Sequence, residues 1–150
     1  MRVVLQRVSS ARVTVAGRTT GQIGRGLLVF VGIAPADTAA DGEWLAQKII
    51  RLRVFGEPDG QTHLSVADIS GDILLVSQFT LYASLQKGTR PSFSAAARPE
   101  LAEPLYENFI AQLSAALGRP VQTGEFGAMM EVSLVNDGPV TLIIDSKSRE

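Results

Sequence analysis

The sequence predicts an α/β fold: a mixed, largely antiparallel β-sheet with a barrel-like core, closed by two main helices. Three observations carry that expectation. Short β-branched and apolar runs recur along the chain, each bounded by glycine, proline or a polar turn. Two segments, 38–53 and 99–117, have apolar residues spaced for one face of a helix. A chain of 150 residues with 45% hydrophobic content suits a single domain over residues 1–150, whose core needs no crosslinks.

Val3 to Val8 alternates as a strand, Ser9-Ser10 makes a step, and Arg12 to Val15 forms a second strand with Val13 and Val15 on one face. Ala16-Gly17-Arg18 turns the chain and Thr19 to Ile23 returns, which predicts a hairpin. Leu27 to Val31 is a continuous apolar run, short enough to be a strand buried on both faces. Thr38 and Asp41 have the spacing of a capping box. Trp44, Leu45, Ile49 and Leu52 fall on one side of the helix that follows, which ends near Arg53. Lys48, Arg51 and Arg53 crowd its last turns, where cations complement the helix dipole or form a small phosphate-facing patch.

Val54-Phe55 and Leu64 to Val66 are short strands around a polar loop, and Asp68 to Asp72 is a turn. It feeds a strongly apolar strand, Ile73 to Val76, which runs into the polar stretch Ser77-Gln78-Phe79-Thr80. Residues 82–98 are loop-like. The second helix starts within 99–104, because Pro99 and Pro104 both fit in or before a first turn. Leu101, Leu105, Phe109 and Leu113 form its ridge, Leu117 closes it, and Gly118 and Pro120 stop it. Val121 to Thr123 opens the last β section. There Met130 to Val135 alternates and Val140 to Ile144 is β-branched.

Between those two runs lies Asn136-Asp137-Gly138-Pro139-Val140-Thr141. The simpler reading is a turn that reverses the chain between two strands. The functional reading is a rigid presenter of carbonyl groups. Gly138 permits backbone angles closed to other residues, and an X-Pro bond can lock in cis within a tight turn.

Composition excludes much conventional chemistry. Cysteine is absent, which removes disulfides, thiolate nucleophiles and thiolate metal sites. Histidine occurs once, at His63, so no site of several imidazoles can form. No metal or cofactor is expected, since Walker and dinucleotide motifs are also missing. His63 sits in a polar loop without a nucleophile elbow and reads as a surface residue. A net charge of −1 argues against strong non-specific polyanion binding and leaves room for a partner held by a local patch. The N-terminus lacks a signal-peptide apolar core and no apolar run is long enough for a bilayer, so a soluble, cytoplasmic protein is expected.

Hydroxyls, amides and backbone dipoles remain. Strand ends are rigid and open onto loops, which makes Ser77 to Thr80 a candidate site. Backbone N–H groups there could hold an oxyanion, each contributing about 3–4 kcal/mol to a transition state. Thr80 as a nucleophile needs an activating neighbour, and the adjacent sequence supplies none.

Three separated motifs then point one way: Ser77-Gln78-Phe79-Thr80-Leu81, Lys87-Gly88-Thr89-Arg90-Pro91-Ser92-Phe93, and Asn136-Asp137-Gly138-Pro139-Val140-Thr141. With the opening Met1 to Val8 and the stretch Phe126-Gly127-Ala128 through Met130, the chain resembles the bacterial-type D-aminoacyl-tRNA deacylases over essentially its whole length. The resemblance implies a homodimer that hydrolyses the ester between a D-amino acid and the terminal ribose of tRNA, with glycine mischarged on tRNA as a further substrate. It assigns Ser77, Gln78, Phe79 and Thr80 to the catalytic wall and Phe126 and Met130 to substrate binding. It also makes Gly138-Pro139 a cis pair that reaches into the other subunit's pocket, where its carbonyls meet the substrate amine and exclude an L side chain.

With so few side-chain bases, the 2′-hydroxyl of the tRNA is the expected helper in activating water. Arg7, Lys87 and Arg90 are candidate phosphate contacts. Two other classes compete. One is a non-catalytic tRNA-binding module, although aromatics at 6% offer no stacking pattern. The other is a hydrolase of different D-amino acid esters, with Thr80 as nucleophile.

Overall fold

The computed structural model describes residues 1–56 and 58–149. Its organising element is β1 (Arg2–Val15). Ser9-Ser10 does not end this strand: the step predicted there is a register shift within one continuous 14-residue strand. On one edge β1 pairs antiparallel with β3 (Gly26–Gly32) through Arg2 to Val8, then with β2 (Arg18–Ile23) through Ala11 to Val15. Its other edge pairs with β8 (Glu131–Asp145). Past β3 the sheet turns parallel, with β6 (Asp72–Ser77) and then β7 (Gln122–Thr123), giving the order β2-β1-β3-β6-β7. A separate small hairpin pairs β4 (Phe55–Gly56) with β5 (Thr62–Leu64).

The ends of the sheet approach one another, which makes it nearly a barrel. A Cβ at Gly21 of β2 would lie 2.4 Å from the Thr123 carbonyl of β7, so only glycine allows that approach. The mixed, largely antiparallel sheet with two helices is the expected fold class.

Period-two alternation sorts the apolar residues into two clusters. Val3 and Leu5 of β1, Leu27, Val29 and Val31 of β3, and Ile73 and Leu75 of β6 face the helices α1 (Ala39–Arg51) and α2 (Pro99–Leu117). Val8, Ala11, Val13, Ile23, Leu28, Leu74 and Val76 fill the inside of the curled sheet. The run from Leu27 to Val31 is therefore packed on both faces, as its unbroken apolar character predicts.

α1 begins at the expected cap. The Asp41 carboxylate reaches back to accept the Thr38 N–H at 2.8 Å. Asp41 also accepts the Ser146 hydroxyl at 2.7 Å and the Lys147 ammonium at 3.1 Å. The Met1 ammonium donates to Ser146 Oγ at 2.9 Å and to Asp37 at 2.5 Å. This buried polar cluster ties the start of β1, the start of α1 and the end of β8 together. Burial alone would raise the Asp41 pKa, but the Thr38, Ser146 and Lys147 hydrogen bonds and the Lys147 charge outweigh it and hold the carboxyl well below the usual range.

α2 differs from expectation in two respects. Its buried stripe is Ala102, Tyr106, Phe109, Leu113 and Leu117, while Leu101 is 41% exposed. The stripe rotates because Tyr106 inserts its ring and donates its hydroxyl to the Leu75 carbonyl at 3.3 Å, a polar tip that no leucine has. Pro104 lies in the second turn, not the first, with Pro99 at the helix start. The acceptor it leaves unbonded, on Glu100, is at an exposed residue where water reaches it. Gly118 caps the helix with φ 85°, as its position predicts. Among the described residues no helix is long and apolar enough to cross a membrane.

Candidate active site

The core of β6 is buried from Ile73 to Val76, and polarity starts where burial ends. The Gln78 N–H makes a last ladder bond to the Val31 carbonyl at 2.7 Å. The chain then tightens into a 3-10 turn, Phe79–Tyr82, in which the Leu81 N–H returns to the Gln78 carbonyl at 3.2 Å. Gly32 makes room for that turn, since a Cβ there would sit 3.0 Å from Leu81 Cβ and 3.1 Å from the Gln78 carbonyl oxygen. Arg2 braces it from below, donating to the Leu81 carbonyl at 3.0 Å, pairing with Asp145 at 3.0 Å and lying 4.7 Å over the Tyr82 ring.

Within the turn the Gln78 amide donates to Thr80 Oγ1 at 2.5 Å. The N–H groups of Phe79 and Thr80, in its first turn, have no intrahelical acceptor. Phe79 is 57% exposed and meets Phe93 edge-on, with ring centroids 5.1 Å apart. Phe93 arrives on a loop whose ends are pinned by the Ser84–Ser92 pair. Lys87 and Arg90 stand exposed on that loop and form no ion pair among the described residues.

Phe126 and Met130 follow β7 and pack on opposite faces of the sheet. β7 accompanies β6 to Leu75, and the Gly124 N–H bonds the Leu75 carbonyl at 3.1 Å. Phe126 then packs on Tyr106 at 5.6 Å, while Met130 joins the inner cluster. Neither the Tyr82 nor the Tyr106 phenol can serve as a base near neutral pH. Burial first, then the Asp37 and Asp145 charges, push Tyr82 up, and burial and Glu107 do the same to Tyr106. His63 is exposed on the small hairpin, where its ring nitrogen meets Gln61 Oε1 at 2.6 Å.

The Asn136–Thr141 stretch is not a chain reversal. β8 continues through it, antiparallel to β1 on both sides: Thr141 pairs with Gln6 and Asn136 with Val8. Residues 137–140 bulge outward opposite the single residue Arg7. The turn signals encode an excursion from one strand because β1 is long enough to pair both halves. Asn136 closes the base of the bulge, donating to the Arg7 carbonyl at 2.9 Å and the Val140 carbonyl at 3.1 Å.

At the apex the Gly138-Pro139 peptide is cis and both residues are exposed. Gly138 does not use its left-handed freedom, since its φ is not positive. An added Cβ would meet only Asn136 Oδ1, at an ordinary 3.6 Å. Nothing in its own chain requires glycine there.

Arg7 is not free for a phosphate. Its guanidinium donates to the carbonyls of Asp137 at 3.0 Å, Gly138 at 3.2 Å and Val54 at 2.5 Å, and pairs with Asp137 Oδ2 at 3.1 Å. With its side chain 12% exposed, it holds the bulge and the chain after α1 in one bracket. The sequence carried a signal for this role. Val3, Leu5 and Arg7 share a strand face, and a cation on a burying face must find acceptors.

Within one chain the two motifs stand apart. Arg7 is in register with Leu27 and Ile73, whereas Ser77 lies four residues further along β6 and three strands away from the bulge. With about 3.3 Å per residue and about 4.8 Å per strand, the separation is roughly 20 Å.

A family model described as D-Tyr-tRNA(Tyr) deacylase matches residues 4–145, and the chain belongs to that family. Relatives named D-aminoacyl-tRNA deacylase, an aminoacyl-tRNA ester hydrolase, include one from Opitutus terrae, 63% identical over 150 residues and all of both chains. Another, from Chloroflexus aurantiacus, is 58% identical over 146 residues, 97% of this chain and 91% of the relative. Among solved structures, one described as c-Myc DNA unwinding element binding protein aligns with a TM-score of 0.90 and 42% identity over 97% of this chain and 98% of the other. A probable eukaryotic D-amino acid tRNA deacylase aligns with a TM-score of 0.84 at 19% identity, over 96% and 98%, and shares the fold.

Proposed function

We propose that the chain hydrolyses the ester of D-aminoacyl-tRNA, and of glycine mischarged on tRNA, in the cytoplasm. Membership of the deacylase family supports the reaction class. The observation that carries the assignment of the site is the open polar exit of β6, with first-turn N–H groups beside the hydrogen-bonded pair Gln78 and Thr80. In this reading Ser77 to Thr80 position the ester and stabilise its oxyanion. Phe126 and Met130 contribute to substrate binding, and Lys87 and Arg90 meet tRNA phosphates. Arg7 moves from phosphate contact to bracing the bulge.

Water activation falls to the substrate. Thr80 Oγ1 is held by a carboxamide, which in either orientation is no base at neutral pH, and the nearby phenols titrate too high. The 2′-hydroxyl beside the ester is the remaining group in reach. Substrate ending in 2′-deoxyadenosine should therefore be hydrolysed much more slowly. Unchanged turnover would remove this step, and complete loss of activity in Thr80→Ala would favour the covalent alternative.

L-Amino acids are excluded by backbone. A hydrophobic pocket rejects one methylene by only about 1–3 kcal/mol, which is weak for proofreading. Rigid carbonyls placed where an L substituent must go discriminate better. The roughly 20 Å separation of the bulge from its own β6 exit supports delivery of Gly138-Pro139 by a second copy of the chain. Its exposure, and the absence of any close contact at Gly138 Cβ beyond Asn136 Oδ1 at an ordinary 3.6 Å, agree with an apex shaped for something outside its own chain. The deciding assay is deacylation of matched D- and L-aminoacyl-tRNA. Rapid hydrolysis of the D ester alone is expected, and equal rates on both, or none on either, would overturn the proposal.

A further inference from the structure

The C-terminal half of α1 carries a feature that the ester site does not use. Trp44, Gln47, Lys48, Arg51, Leu52 and Arg53 line an open groove of about 410 Å³. Lys48, Arg51 and Arg53 are exposed along it, and none of the three forms an ion pair among the described residues, whereas Arg2, Arg7, Arg18, Arg119 and Lys147 do. A fourth cation comes from the far end of the chain. The Arg149 guanidinium lies 4.4 Å over the Trp44 ring, and Lys48 Nζ is 5.5 Å from the same ring.

The helix dipole accounts for Lys48 and Arg51, which stand in the last turn, but not for the other two cations. It acts within the last turn, but Arg53 lies beyond the Leu52 cap and Arg149 is not part of the helix. Of the nearby carboxylates, Glu43 accepts the Gln47 amide at 3.2 Å, and Asp68 accepts the Ser65 N–H at 2.8 Å and feels the Arg53 charge through space without a contact ion pair. In a chain of net charge −1 the groove is a local concentration of positive charge with no contact ion pair among the described residues.

Its position gives it a use. Arg7 bonds both the Gly138 carbonyl and the carbonyl of Val54, the residue after Arg53, so the groove and the bulge are joined by one side chain. We infer that this groove grips the phosphodiester backbone of the RNA whose 3′ end lies in the site the adjoining bulge enters. The inference rests on the proposed function and deepens it. An RNA backbone is favoured over a small anion because the cations are spread along an open groove with an apolar floor of Trp44 and Leu52, not gathered about one point. In a dimer, the copy that supplies the chirality gate also holds the RNA on its partner's site.

The test is the triple variant Lys48→Gln, Arg51→Gln, Arg53→Gln, assayed on intact D-aminoacyl-tRNA and on D-aminoacyl-adenosine, which ends at the ester. The groove account predicts KM on intact tRNA raised about ten- to a hundred-fold with kcat unchanged, and a plot of log KM against log salt shallower by about two to three. Hydrolysis of the adenosine ester and the melting temperature should not change. An unaltered KM and salt slope on intact tRNA would overturn the inference, as would an equal loss on both substrates. Should the wild type hydrolyse neither substrate, the proposed function fails. Fluorescence anisotropy with uncharged tRNA then decides the groove by itself, because equal affinity and salt slope for both proteins would overturn it.

Discussion

Arg7 shares a face of β1 with Val3 and Leu5, so its charge must be matched inside the fold, and the acceptors it finds are the carbonyls of the Gly138-Pro139 bulge and of Val54. The three carbonyls are met by three different guanidinium nitrogens, a spread that the single nitrogen of an ammonium does not cover. Arg7→Lys should therefore fold but let the bulge shift. Because a displacement of about 1 Å can cost about a hundredfold in rate, kcat/KM on D-aminoacyl-tRNA should fall about 10–100-fold while the melting temperature changes little. Wild-type kinetics would show that the bracket is dispensable. At the apex, Gly138→Ala meets no obstacle in its own chain. It should melt within about 1 kcal/mol of wild type yet show a changed D-to-L rate ratio, measured on matched substrates. An unchanged ratio would return the bulge to a structural role.

At the level of elements, the start of α1 depends on an ionised Asp41 that also anchors Ser146 and Lys147. Its folded pKa lies below the unfolded value of 3.8. The stabilisation is therefore fully present above about pH 4, and is lost as pH falls and the unfolded chain takes up the proton first. Asp41→Asn should cost about 2–4 kcal/mol at pH 7 and flatten the acid limb of stability, as read by urea unfolding between pH 7 and 3. An acid limb as steep as wild type would place the titrating group elsewhere.

The elements that sequence located best were those set by local chemistry. The Thr38–Asp41 cap, the Gly118 stop and the doubly buried run from Leu27 to Val31 all lie where their signals put them. The failures have a common physical cause, since they were settled by partners distant in sequence. β1 stays unbroken through Ser9-Ser10 because β8 pairs along it on both sides of that step. Tyr106 turns the face of α2 because a carbonyl on β6 accepts its hydroxyl. The 136–141 segment continues a strand because β1 receives both of its halves.

On the scale of the whole molecule, the long strand β1 sets where both motifs can go. The β6 exit opens at one end of the sheet and the bulge protrudes near the other, roughly 20 Å away. The motifs of the candidate site were legible as residues, but their separation was not, because strand order and register are absent from a linear sequence. If the site is shared between copies, damage to its two halves must be complementary. A loop variant, Gly138→Phe, and a wall variant, Gln78→Ala with Phe79→Ala, would each be inactive alone. Mixed under conditions of subunit exchange, they assemble heterodimers in which one composite site is intact. The measurement is the rate of D-aminoacyl-tRNA hydrolysis by that mixture. Recovery of roughly a quarter of the wild-type rate, with L-aminoacyl-tRNA still refused, is the result expected, whereas a mixture no more active than its two components would contradict a site built from two chains.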